Sequence, residues 1–154
     1  MAIDIAGKRI IITGGAGQLG LQWYAAIRDA GGDPYPIDLR KRSGSARNAS
    51  LSASGDVLDR QFLEKLSYYH VTPDALICAA AIDAKPGTPG CGRPEDVPLD
   101  DFTRTIMVNL VGVQNCIQVF GKAMKEAGRG SIILVSSIYG IVAPDHRRYE
   151  GMPG

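Results

Sequence analysis

The chain has 154 residues, of which 45% are hydrophobic and 21% charged, and its net charge is +1. That length suffices for one domain with a real core, and the near-neutral balance gives no pointer to nucleic acid or a membrane surface. No apolar run approaches the roughly 20 residues of a membrane-spanning helix, and the start, Met1 to Ile5, lacks the basic region and apolar stretch of a secretory signal. Three cysteines, Cys78, Cys91 and Cys116, fit no metal-binding spacing. Cys78 and Cys116 lie in apolar runs and read as buried, reduced thiols. A cytoplasmic protein without a metal site is expected.

Ile10 to Ile12 form a short apolar run that reads as a buried strand. Gly14, Gly17 and Gly20 follow, and Leu19, Trp23, Ala26, Ile27 and Ala30 then set a helical pattern. Strand, glycine turn and helix start form a phosphate-binding device. Gly14 allows a sharp turn, Gly17 leaves room for a pyrophosphate beside the backbone, and Gly20 lets the helix pack closely on the strand. The first N–H groups of the helix lack internal partners and sit at the positive end of its dipole. The spacing is not the strict G-x-G-x-x-G, but its place between a strand and a helix carries more weight than the pattern.

Gly31-Gly32 stops the helix, and Asp33-Pro34 is expected to make the turn. Tyr35 to Leu39 reads as a second strand with Asp38 near its end. Residues 40 to 48 read as a loop, and Ala49 to Ala53 as a short third strand before Gly55-Asp56-Val57. Asp59 caps a helix through Phe62, Leu63 and Leu66. Ala75 to Ala81 is a continuous apolar run, suited to a strand buried on both faces. Residues 83 to 99 are a long loop rich in Pro and Gly. Asp100-Asp101 opens a helix whose Phe102, Ile106, Leu110, Val113, Ile117, Phe120 and Met124 step by three and four along one face. Gly128 and Gly130 end it. Ser131 to Val135 is a fifth strand, with Ser136-Ser137 at its carboxyl end.

This alternation predicts an α/β fold, a parallel sheet with helices on both faces and right-handed crossovers. Ligands in such sheets bind at the carboxyl ends of the strands. The glycine turn, Asp38, Ala79 to Ala81 and Ser136-Ser137 all fall there. Asp38, eighteen residues after Gly20, can accept hydrogen bonds from both ribose hydroxyls of an adenosine and repels a 2′-phosphate, which favours NAD over NADP. Arg40, Lys41 and Arg42 keep NADP open. Asp38 can also simply cap its turn. Asp56-Val57 can bracket an adenine edge or supply a helix-start acid. Asn109 stands among apolar neighbours and needs partners, a backbone carbonyl or a water. No His or Asp is spaced for a hydrolase triad with Ser136 or Ser137, and G-x-S-x-G is absent. His70 and His146 are isolated and read as surface or loop residues.

Several elements in the same order resemble the short-chain dehydrogenases/reductases, single-domain oxidoreductases with a Rossmann core. They are Thr13 to Gly20, Asp38, Asp56-Val57, Cys78 to Ala81, Phe102 to Asn109, and Gly130 to Gly140. The resemblance implies a Rossmann-like doubly wound parallel sheet. It puts cofactor phosphates at Gly14, Gly17, Gln18, Leu19 and Gly20, the adenosine ribose at Asp38, and adenine near Asp56 and Val57. Ala79, Ala80 and Ala81 belong to the cofactor site, and the nicotinamide half falls near Ala80 and Ser137. It gives Asn109 a place in a proton relay and Ser137 the task of hydrogen-bonding the reacting carbonyl or alcohol. The partners implied are a small alcohol or carbonyl substrate, sugar-linked in one reading, and further copies of the chain in a homo-oligomer.

This sequence departs from the family pattern at two places. Gln18 stands where the simple branch has Gly, and Cys78-Ala79-Ala80-Ala81 replaces Asn-Asn-Ala-Gly. The family's acid/base Tyr-x-x-x-Lys is not matched: Tyr149 lies twelve residues after Ser137, but Pro153 stands four beyond it. Without a neighbouring cation a phenol keeps its pKa of about 10, so Tyr149 reads as a loop residue. The expected fold is therefore incomplete at its carboxyl end, residues 1–154 being the dinucleotide-binding part of a longer dehydrogenase that is inactive on its own. Two alternatives stay open: a non-catalytic dinucleotide-binding module, and a nucleotide-sugar epimerase of the extended branch.

Overall fold

The computed structural model describes residues 4–40, 53–69, 72–83, 94–143, 145 and 147. The readings of residues 49–52, His70, Cys91, His146 and Tyr149 fall outside these. Among the described residues five parallel strands form one sheet in the order β3-β2-β1-β4-β5. They are β1 (Arg9–Thr13), β2 (Asp33–Asp38), β3 (Ala53–Ser54), β4 (Ala75–Cys78) and β5 (Ser131–Leu134). Helix α1 (Gln18–Asp29) covers one face, and α2 (Arg60–Tyr69) and α4 (Val113–Glu126) the other. The doubly wound parallel sheet expected from the sequence is present.

β1 is central because its three isoleucines supply both faces. Ile10 and Ile12 pack under Tyr24 and Ile27 of α1. Ile11 faces the other way, into a cluster with Leu63 of α2 and Cys116, Val119, Phe120 and Met124 of α4. β-Branched side chains fill a strand buried on both sides.

β2 begins two residues before its expected start and contains Pro34 and Pro36. The turn is made by Gly31, at φ +81°, and Gly32. The Asp33 N–H donates to Lys8 O at 2.8 Å, so alternate donors from Asp33 onward face β1. The two prolines therefore lack an N–H only on the far side. There the described residues of β3 pair with Ile37 and Asp38, beyond both prolines.

β4 stops at Cys78 rather than Ala81. The Ala79 and Ala80 N–H groups both donate to Thr13 Oγ1, at 3.1 Å each, and leave the ladder. At the opposite end of the sheet, Asp74 ties three strand starts together. It accepts from the Arg9 N–H at 3.0 Å and is ion-paired with Lys8 and Arg129.

The long helix opens with α3 (Leu99–Ile106), passes through a π-helical segment, Met107–Gly112, and continues as α4. The wider turn changes which side chains face the sheet. The apolar row expected as one buried face divides there: Phe102, Ile106 and Leu110 are exposed, whereas Phe120 and Met124 are buried. β5 pairs with β4, and its Ile132, Ile133 and Leu134 are exposed.

Cys78 and Cys116 are buried free thiols in one cluster. Burial pushes the Cys78 thiol up to about 11 and, with Cys78 nearby, the Cys116 thiol up to about 12. An unfolded thiol ionises near 8.5, so above that pH the unfolded state binds fewer protons than the native one. The stabilisation is full below about pH 8.5 and is lost as pH rises toward 11 or 12. Urea unfolding at stepped pH is expected to show a decline from about pH 9, at up to about 1.4 kcal/mol per pH unit for each thiol. The two Cys→Ala variants should flatten it.

Candidate functional site

Where β1, β2 and β4 end, the chain opens a cleft of about 400 Å³. Gly14, Gly17, Asp38, Asp56, Val57, Ala79, Ala80 and Ala81, all singled out in the sequence, line it. The remaining candidates are not on its wall. Gln18 and Leu19 are exposed on the first turn of α1, and Gly20 is buried there. Asn109 stands behind the wall, and Ser137 follows the edge strand β5.

The glycine turn is shaped by close approach. Gly14 has φ +73°, and a Cβ there would lie 2.8 Å from Ala79 O. The Gly15 N–H donates to Ile37 O at 3.1 Å, and the Gly17 N–H to Gly14 O at 2.9 Å. At Gly20 a side chain would drive into the Gly14 carbonyl and lie 2.7 Å from Gly15 Cα. Gly17 is the N-cap of α1 in extended conformation, and no side chain caps the helix. The helix start thus presents backbone donors and the positive dipole end to the cleft. A pyrophosphate fits this cradle, since it needs donors, a favourable field and no side chain in the way.

Asp38 is held from two sides. Its Oδ2 accepts from the Ala16 N–H at 3.0 Å, within the glycine turn, and its Oδ1 accepts from the Arg40 N–H at 2.9 Å. The Arg40 guanidinium pairs with Oδ1 at 3.4 Å; Arg40 is 70% exposed and Asp38 only 12%. Asp38 therefore caps its own turn and also fixes the orientation of its carboxylate toward the glycine turn. Opposite, Asp56 Oδ1 accepts from the Leu58 N–H at 2.9 Å, and Val57 is buried.

Asn109 lies in the π-helical segment. Its Oδ1 accepts from the Ile82 N–H and its Nδ2 donates to Ile82 O, both at 2.9 Å. Its carboxamide is the partner of a backbone segment on the cleft wall, one of the two possibilities open from the sequence. Ser137 Oγ accepts from the Tyr139 N–H at 3.2 Å and so caps the short turn Ile138–Gly140. Its hydroxyl hydrogen remains available for donation.

Sequence reasoning did not single out Thr13, Leu58, Ile82, Arg104 or Val108. Thr13 is buried and organises the Ala79 and Ala80 amides, yet a threonine ending a strand carries no signal of that. The other four line the cleft from elements distant in sequence. Among the described residues no cluster of three His, Cys, Asp or Glu could hold a metal, and no helix is long and apolar enough to cross a membrane.

The family described as short chain dehydrogenase matches residues 8–148. A 3-alpha-(or 20-beta)-hydroxysteroid dehydrogenase of Mycobacterium tuberculosis is 29% identical over 144 residues, covering 92% of this chain and 55% of that protein. A 2,5-dichloro-2,5-cyclohexadiene-1,4-diol dehydrogenase of Sphingobium indicum is 25% identical, covering 96% of this chain and 62% of its own length. The crystal structure of a short chain dehydrogenase from Leptospira borgpetersenii with bound NAD+ superposes with a TM-score of 0.82 at 26% identity, over 96% of this chain and 60% of that one. The chain thus spans little more than half the length of these relatives.

Two glycines separate the effects at the turn. Gly128 has φ +66° with nothing near a Cβ, whereas Gly14 combines φ +73° with the Ala79 carbonyl. Gly128→Ala is expected to cost about 1 kcal/mol, the left-handed backbone alone. Gly14→Ala should cost clearly more, because Ala79 and Ala80 must also shift off Thr13. Urea unfolding of the two variants checks the ranking.

Proposed function

The chain belongs to the short-chain dehydrogenase family, and we propose that it carries the NAD-binding half of an oxidoreductase acting on an alcohol or carbonyl. The observation that supports this most is the convergence in one cleft of the glycine turn, Asp38, Asp56-Val57 and Ala79 to Ala81. Four separate strand ends supply them, in the chain order that the family resemblance requires. In this reading Gly14, Gly17 and the first-turn amides of Gln18, Leu19 and Gly20 take the pyrophosphate. The Asp38 carboxylate receives the ribose hydroxyls. Asp56 and Val57 face the adenine, and Ala79 to Ala81 form the floor beneath the rest of the dinucleotide.

The bound nicotinamide supplies the hydride chemistry; the chain's own residues position and polarise. We assign Ser137 the task of donating its free hydroxyl hydrogen to the reacting oxygen, with the lone pair accepting from the Tyr139 N–H holding its rotamer. Asn109 contributes to catalysis through Ile82: the side chain is committed to that backbone, so its part is to keep the wall of the cleft in place rather than to carry a proton. We place contact with a second copy of the chain on the exposed Phe102, Ile106 and Leu110.

NAD is favoured over NADP because the Asp38 carboxylate, held by two backbone N–H groups, cannot swing away from a 2′-phosphate. Fluorescence titration with NADH and NADPH tests the reading. The protein is expected to bind NADH more tightly. Asp38→Ala is expected to weaken NADH by roughly tenfold, the scale of a charge-assisted hydrogen bond, and to leave NADPH unchanged or tighter, since Arg40 is then released to meet a phosphate. A wild-type protein that binds neither nucleotide would falsify the assignment.

A further inference from the structure

The adenosine side of the cleft is a short turn, Asp56 to Leu58, that follows the two-residue strand β3. We propose that Asn115, on α4, is the positioning residue for this turn and thereby sets how the protein reads the base; this rests on the dinucleotide reading above. The Asn115 side chain reaches 58 positions back along the sequence, and its Nδ2 donates to Val57 O at 3.2 Å. The same peptide plane is gripped at its other end: its N–H, that of Leu58, donates to Asp56 Oδ1 at 2.9 Å. The plane therefore transmits the position of α4 to the Asp56 carboxylate. Release of the carbonyl lets the plane turn, and the carboxylate turns with it.

Two further contacts make this a built arrangement. Gly112, in the π-helical segment, is buried, and a Cβ there would lie 2.5 Å from Val57 Cγ2. The helix backbone thus lies directly against the turn. The entrance and exit of the turn are fixed separately, by the Gly55 N–H to Asp38 O and the Asp59 N–H to Asp56 O, each at 3.0 Å. With both ends held, rotation of the central plane is the freedom that remains, and Asn115 removes it. An adenine presents an exocyclic amine, a donor suited to a carboxylate. Hypoxanthine presents a carbonyl at that position, an acceptor that a carboxylate repels. Orientation of Asp56 is therefore read out as discrimination between these two bases.

The experiment compares NAD+ with nicotinamide hypoxanthine dinucleotide by calorimetric titration of the wild type, Asn115→Leu and Asn115→Asp. Both variants remove the donor; Asn115→Asp does so at the same volume and keeps a polar side chain should the larger leucine fail to fold. The wild type is expected to prefer NAD+ by about tenfold. In either variant NAD+ should weaken five- to tenfold, with the hypoxanthine dinucleotide little changed, so the preference collapses toward one. Thermal unfolding reports the merely structural alternative. A variant that weakens both dinucleotides in proportion, or neither, overturns the role of Asn115 while leaving the dinucleotide site standing. A wild type that binds neither overturns the site itself.

Discussion

The cleft exists because β1 and β4 part without leaving amides unpaired. The two strands run in register as far as Thr13 and Cys78. There the Thr13 hydroxyl accepts the Ala79 and Ala80 N–H groups, and Gly14 turns away at positive φ against the Ala79 carbonyl. A buried donor without a partner costs about 1–3 kcal/mol, so two at one spot would resist any opening of the sheet. One buried hydroxyl removes that cost. The crevice begins at this point, and every candidate residue on its wall is placed relative to it.

A second constraint acts from the helix side. In an unbroken α-helix positions 109, 112 and 115 would follow the regular 3.6-residue phase. The π-helical segment Met107–Gly112 alters that phase, and the three residues meet two different stretches of chain, Asn109 and Asn115 through backbone bonds and Gly112 by lying against the Val57 side chain. Asn109 takes Ile82, and Gly112 and Asn115 take Val57. Ile82 and Val57 both line the cleft. One helix therefore braces the cleft from two places, and Arg60 extends the link outward through its bond to Gln118 on the surface between α2 and α4.

The parallel α/β order and the cleft positions of the glycine turn, Asp38 and Ala79 to Ala81 were legible because each follows from local chemistry; the family and the place of Asp56-Val57 came from the resemblance those pieces make together. Glycines after an apolar strand, an acid ending the next strand, and a buried apolar run all announce themselves within a few residues. The features that escaped depend on a partner elsewhere. Asp33-Pro34 reads as a turn until Gly31 and Gly32 are seen to make it. Ala79 to Ala81 look like more of β4 until Thr13 is seen to claim the amides of Ala79 and Ala80. Phe102, Ile106 and Leu110 keep helical spacing with Phe120 and Met124, and spacing does not report a π turn between them. Asn115 is one polar residue on a helix, and its partner lies 58 positions back along the sequence.

The sheet has no local pairing at its centre. β1 bonds to β2 and β4, and the Arg9 N–H that begins its contact with Asp74 reaches across 65 positions. Such topologies carry high contact order and fold slowly. A ribosome adds roughly 5–20 residues per second, so several seconds pass between the emergence of Ile10 to Ile12 and that of the strand that flanks them. During that interval β1 has at most one of its two sheet neighbours. The nascent chain therefore passes through a defined period in which Ile11 waits for its second neighbour, a period closed only when Leu76 arrives beside it.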